Sequence, residues 1–250
     1  MRDRDRWPAS LLLVRHGESA GNVARDLAEA QGDPIIDIAA RDMDVPLSDE
    51  GARQADALGE WIGKLGRSRP SVVLASPYVR AERTAALALE AAGLDLPIIL
   101  DERLREREFG VLDRLTKVGI MQQYPAEAES RARVGKFYHR APGGESWCDV
   151  ALRVRSALDS VTREHSGEHV LVVSHQVVIF MFRYVLERLT EQQILAISRE
   201  RELANCSVTS FELPRRGTDG MVLQCFNEVV ALEQTGAAIT HEPDVPLAPR

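Results

Sequence analysis

Three times the chain repeats one pattern: a short apolar run ends in polar residues and then enters a helical periodicity. Leu11–Val14 leads to Arg15-His16, Val72–Ala75 leads to Ser76-Pro77-Tyr78-Val79-Arg80, and Val170–Val173 leads to Ser174-His175. Short β-branched runs separated by longer amphipathic stretches are the mark of parallel strands joined by crossover helices. Such a sheet gathers the residues that follow its strands on one edge, where α/β proteins place their ligands. The pattern therefore predicts an α/β fold with Arg15, His16, Arg80 and His175 converging.

Helix starts can be read in the same way. Ser48 is placed as the N-cap of a helix from Asp49 to about Leu65, and Ser76 as an N-cap with Pro77 at the first helical position. Asp149 is placed as the cap of a helix whose apolar stripe includes Val150, Val154, Leu158 and Val161. Two further strands are expected at Pro97–Leu100 and Ser207–Leu213, with Val222–Asn227 as a hairpin partner for the latter. Residues 23–47 and 107–146 break the alternation and read as long excursions, with helix around Lys117–Val134. Loops of that length beside a sheet edge usually shape a substrate site, so one domain with a lid-like insertion is expected. Residues 1–9 read as a flexible arm, 10–232 as the domain, and 233–250, with three prolines and little periodicity, as a loosely ordered tail.

The chain has 250 residues and a formal net charge of -7. That acidic balance argues against a nucleic-acid or anionic-membrane partner, either of which needs a basic face. It leaves room for a small anionic phosphorylated substrate in a local cationic pocket. No apolar run approaches the roughly 18 residues of a membrane span, and the charged start lacks a signal-peptide core. A cytoplasmic protein is expected, with homodimerisation left open. Three widely spaced cysteines suit neither a disulfide framework nor a zinc site.

The residue types at the expected edge point to phosphoryl chemistry. A neutral His16 can attack phosphorus and become phosphohistidine. Arg15, Arg80 and a protonated His175 can hold the equatorial oxygens, with Asn22 adding an amide donor. Glu106, in Leu104-Arg-Glu-Arg-Glu-Phe109-Gly110, can protonate the leaving oxygen and then accept a proton from the incoming water or alcohol. One acid–base group serves both half-reactions, so no metal and no cofactor is expected.

These residues also carry a family resemblance. Leu13-Val-Arg-His-Gly-Glu-Ser19 with Asn22, Leu47-Ser-Asp-Glu-Gly51, Ala75-Ser-Pro with Arg80, Leu104-Arg-Glu, Pro142-Gly-Gly-Glu-Ser146, Val172-Val-Ser-His175 and Asn205-Cys-Ser-Val208 occur in the order found in the histidine phosphatase superfamily, also called phosphoglycerate mutase-like. The chain resembles that superfamily over about residues 11–213. The resemblance implies a three-layer α/β/α sandwich with a mostly parallel central sheet. It also implies a phosphohistidine on His16, Glu106 as proton donor, and a phosphate pocket of Arg15, Asn22, Arg80 and His175. By the register of the mutases, Lys117, Arg131 and Arg133 fall where substrate-binding cations occur, and Arg140 and Glu145 are further specificity candidates. The first expectation is a phosphatase for a small phosphomonoester. The alternative is a phosphoglycerate mutase, the one case needing a bisphosphoglycerate primer. A non-catalytic phosphate-binding module is the third. Val111–Lys117, which departs from the usual continuation after Gly110, weighs against the mutase.

Overall fold

A computed structural model describes residues 6–214 and 220–241. Six strands form one sheet: β1 (Ser10–Arg15), β2 (Val72–Ala75), β3 (Ile98–Leu100), β4 (His169–Ser174), β5 (Val208–Glu212) and β6 (Val222–Glu228), in the order β3-β2-β4-β1-β5-β6. The first four in that order are parallel, and β5 and β6 run antiparallel as the expected hairpin. The inner parallel strands β1, β2 and β4 are buried on both faces along nearly their whole length, so their sequences are continuously apolar rather than alternating, whereas β3 at the edge is partly exposed.

The two faces separate by parity. Leu11, Leu13, Leu74, Val170 and Val172 pack with α6 (Trp147–Glu164) and α7 (Gln176–Leu186). Leu12, Val14, Val73, Leu171 and Val173 pack with α2 (Asp49–Gly63) and α3 (Val79–Ala92). This is the three-layer sandwich that was expected. Each fully buried Leu or Val contributes roughly 1.5–3 kcal/mol to holding the layers together.

Register sets the site. Arg15 lies opposite Ser174, and Ala75 opposite Val173, so β1, β4 and β2 end at one level. The residues that follow them, His16, His175 and Ser76, therefore start side by side.

Several boundaries differ from the sequence reading. Ser48 does cap α2, accepting the Gly51 amide at 3.0 Å. Helix α3, however, starts two residues late, with Tyr78 as its N-cap, because the Ser76 hydroxyl is used elsewhere. Helix α6 is capped by Ser146, and Asp149 is the third residue of a reciprocal capping box. The stretch 23–47 is not all excursion: α1 (Ala20–Gln31) occupies its first part. The lid helix is two helices, α4 (Lys117–Gln123) and α5 (Pro125–Val134), since Pro125 cannot continue the first. Leu112, Leu115, Ile120, Ala128 and Ala141 give the lid a small core of its own. A further helix, α8 (Glu191–Glu200), precedes the hairpin.

Residues 233–241, read from sequence as the start of a loose tail, carry the last turns of α9 (Val230–Thr235) and then pair with the body. Ala204 bridges to His241, and the Asn205 amide donates to the Thr240 carbonyl at 2.9 Å. In the first arm, Trp7 and Ala9 hydrogen-bond to Gly167 and Glu168. The rest of both segments, 1–5 and 242–250, lies outside the described residues. No helix among the described residues is long and apolar enough to cross a membrane.

Candidate active site

His16 leaves β1 with its ring already oriented. Its Nδ1 lies 2.7 Å from the Gly17 carbonyl oxygen, which can only accept, so Nδ1 carries the proton and the lone pair is on Nε2. The turn is held from both sides. The Gly17 amide donates to Thr84 Oγ1 at 3.0 Å, and the Glu18 amide to Gln54 Oε1 at 2.8 Å. Gly51 allows this approach of α2, because a Cβ there would sit 1.9 Å from the Glu18 carbonyl oxygen. A hydrogen-bonded ring runs behind the turn. Asn205 Nδ2 donates to the His16 carbonyl at 3.0 Å, Thr240 Oγ1 to Asn205 Oδ1 at 3.1 Å, and Gln54 Nε2 to Thr240 Oγ1 at 2.8 Å. Gln54 closes the ring on Glu18.

His175 is fully buried, 5.0 Å from His16 between ring centroids. Its Nε2 meets Ser76 Oγ at 2.8 Å. That oxygen accepts the Tyr78 amide at 3.2 Å and can give its own proton to Nε2, which places the ring proton on Nδ1. Nδ1 lies 4.0 Å from Glu106 Oε2 and makes no hydrogen bond. Burial first, then the charges of Arg80, His16, Arg153 and Arg15, push His175 well below its ordinary value. The expectation of a protonated His175 is corrected accordingly: near neutral pH the ring is a neutral donor, since a buried imidazolium among arginines is costly.

Glu106 is aimed by its backbone. Its Oε1 accepts the Arg107 amide at 2.7 Å, and Arg153 Nη2 donates to the Glu106 carbonyl at 3.2 Å. The Ser174 hydroxyl donates to the Leu104 carbonyl at 2.7 Å, tying this loop to the end of β4. Arg80 sits in the first turn of α3 with its Nη1 3.0 Å from Asp42 Oδ1. Asn22 turns its Oδ1 to the Ser19 amide at 2.9 Å as part of the capping box of α1, so its donor end faces away from that turn. Arg15 is almost wholly buried, and its Nη1 donates to the Leu203 carbonyl.

His16, Asn22, Arg80 and Glu106 line one cavity of about 1370 Å³, counted out to its open mouth. Arg15 and His175 lie behind its wall. Helix α7 begins directly after His175, so its positive end faces the same edge. Of the specificity candidates, Arg131 and Glu145 line the cavity, and Glu145 is clamped by Arg105 at 2.7 Å and Arg153 at 3.0 Å. Lys117, Arg133 and Arg140 are not brought in; all three are exposed and outside the lining. Arg133 is two residues past Arg131 on α5, about 200° around the helix, so the two cannot share a face. Lys117 is on the first turn of α4, whose buried residues are Gly119 and Ile120. Arg25, Asp42, Arg107 and His139 line the cavity and were not singled out from sequence. Their signal was only their position inside the two excursions. No group of three metal-ligating side chains occurs among the described residues.

The sequence model of the histidine phosphatase superfamily, branch 1, matches residues 11–227. The chain belongs to the histidine phosphatase superfamily. Among its relatives in this superfamily is the 2,3-bisphosphoglycerate-dependent phosphoglycerate mutase 2 of Gloeobacter violaceus, 33% identical over 92% of this chain and 97% of that protein. Among solved structures in the same fold, Bacillus stearothermophilus YhfR is 26% identical with a TM-score of 0.71, covering 89% of this chain and 98% of its own. A mycobacterial glucosyl-3-phosphoglycerate phosphatase, in complex with inorganic phosphate, is 25% identical with a TM-score of 0.64, covering 88% and 97%. The superfamily comprises phosphotransfer enzymes acting on small phosphorylated substrates. This member's relatives are named both as mutases and as phosphatases.

Proposed function

We propose that this superfamily member is a phosphatase that hydrolyses a phosphomonoester through a phosphohistidine on His16. The observation that carries the reading is the bond from His16 Nδ1 to the Gly17 carbonyl, which puts the lone pair on Nε2 of a ring that lines the cavity. In the first step Nε2 attacks phosphorus in line and the ester P–O bond breaks. Glu106 gives its proton to the departing oxygen. Arg80, Asn22 and the Nδ1–H of His175 bind the equatorial oxygens, and Arg15 adds positive charge beneath them. In the second step the Glu106 carboxylate takes a proton from water as that water attacks the phosphohistidine. Inorganic phosphate and neutral His16 result.

Hydrolysis is favoured over transfer by two features. Lys117, Arg133 and Arg140 point away from the cavity, which removes three cations that would retain a small anionic intermediate. The cavity also has a wall of aliphatic side chains, so its two ends are unlike, whereas a mutase must accept its ester in two orientations. Transfer between hydroxyls is the second reading, favoured by the Gloeobacter relative, which is named a phosphoglycerate mutase.

The two are separated by incubating the protein with p-nitrophenyl phosphate, and separately with 3-phosphoglycerate plus its bisphosphate. Phosphate release that is lost in His16→Ala is the expected result. Isomerisation without net phosphate release would establish the mutase reading instead. No turnover of any phosphoester would sink both.

A further inference from the structure

The lid side of the cavity carries positive charge that the protein neutralises only in part. Arg107 is buried, and its Nε has no hydrogen-bond partner; its guanidinium carbon lies 4.6 Å from the centre of the Phe109 ring. Arg131, only 8% exposed, makes no side-chain hydrogen bond or ion pair among the described residues. Both line the cavity that contains His16.

Their neighbours add to the imbalance. Burial, then the nearby charge of Arg107, pushes Arg131 down to about 10. Burial also lowers Arg107, with Arg25 repelling it. Behind them Lys136 is pushed down to about 7 by burial and by Arg131, Arg107 and Arg199. Glu106 and Glu145 attract Arg107, though Glu145 also holds Arg105 and Arg153. Glu127 meets His139 Nε2 at 3.2 Å, and Arg131 has no carboxylate of its own among the described residues. Holding Arg131 out of water beside Arg107, with no counter-ion of its own, is unfavourable unless a ligand supplies the charge.

Part of the cavity lining is aliphatic: Ile36, Ile38, Val45, Leu112, Leu115 and Ile120. A hydroxylated linker, such as a glycerate or a sugar, would set its hydroxyl groups against alkyl carbon and leave them unpaired there.

Building on the phosphatase reading, we propose that the substrate's leaving group is an amphiphilic organic acid. An alkyl or aryl segment lies along Ile36, Ile38, Leu112 and Leu115, and a terminal anionic group, carboxylate or phosphonate-like, seats on Arg107 and Arg131. A planar carboxylate suits the guanidinium fork, while a second phosphoryl group uses the same donors.

The test is a series of ω-phosphonooxyalkanoic acids of four, six and eight carbons, each compared with its methyl ester and with the ω-phosphonate. In the unmodified protein, kcat/KM for the acid exceeds that for the ester by at least about tenfold at the best length. It also exceeds that for 3-phosphoglycerate, which has the two charges without the apolar segment. In Arg131→Gln the acid-to-ester ratio falls to within about twofold of one, whatever the absolute rate. A ratio near one in the unmodified protein overturns the proposal, as does a ratio unchanged in Arg131→Gln. If that variant does not fold, calorimetry on His16→Ala compares acid and ester with the lid intact, and equal affinities overturn the proposal. The acid-to-phosphonate comparison distinguishes the two terminal groups. Failure of the phosphatase reading would look different: p-nitrophenyl phosphate would not be turned over, while His16→Ala would still discriminate acid from ester.

Discussion

Arg80 and Asp42 hold one another at the cavity wall: Arg80 Nη1 lies 3.0 Å from Asp42 Oδ1 and 2.5 Å from the Asp42 carbonyl oxygen. A carboxylate thus occupies the guanidinium proposed to receive phosphate.

Asp42 is half-exposed, so its charge is partly screened and the pair is worth about 1 kcal/mol or less. In Asp42→Asn, orthovanadate and inorganic phosphate should inhibit about two- to fivefold more tightly, with KM falling more than kcat changes. Inhibition constants measured by steady-state kinetics check this. Unchanged or weaker inhibition would mean that Asp42 does not compete with the ligand.

Ser76 is a positioning residue for His175. Ser76→Ala removes the only hydrogen bond of Nε2 and lets the ring proton shift between nitrogens. The expected result is a fall in kcat of about tenfold or more, and a stability loss of about 1–2 kcal/mol. Nitrogen chemical shifts of His175 would report the tautomer directly. Unaltered shifts together with unaltered kcat would refute the assignment.

Lys136 supplies a pH test. It hydrogen-bonds Ser198 Oγ at 3.2 Å and lies over the Trp147 ring, yet holds its proton only to about pH 7. In the unfolded chain the same amine keeps its proton up to its ordinary value of 10.5. Between those values the unfolded state binds more protons, so this group makes stability rise with pH; below about 7 both states are charged and the penalty is at its largest. Lys136→Met should therefore be stabilised relative to the unmodified protein most at pH 6.5–7, with the difference shrinking toward pH 10. Denaturation midpoints of the two proteins across that range measure it. Parallel curves would contradict the burial argument.

The centre of the sheet is legible in the sequence because β1, β2 and β4 are buried on both faces and read as unbroken apolar runs ending in polar residues. Those runs alone place His16 and His175 on one edge. Caps were less legible. Ser76 has the composition of an N-cap, but its hydroxyl is claimed by His175, a residue 99 positions away that no local rule sees. Asp149 was read as a cap although Ser146, three residues earlier, completes a capping box that the sequence spells out. In the lid, the register of the family resemblance implies cations near the cavity but does not select among them. Helical phase chose Arg131 over Arg133, and the loop after Glu106 turned Arg107 inward.

The hydrogen-bonded ring behind His16 joins segments far apart in sequence into one brace. Its members come from positions 16, 18, 54, 205 and 240. Thr240 is outside the cavity lining, yet a change there is transmitted through Asn205 and Gln54 to the turn that carries His16. Substitutions remote from the cavity can therefore reach its centre through backbone geometry alone.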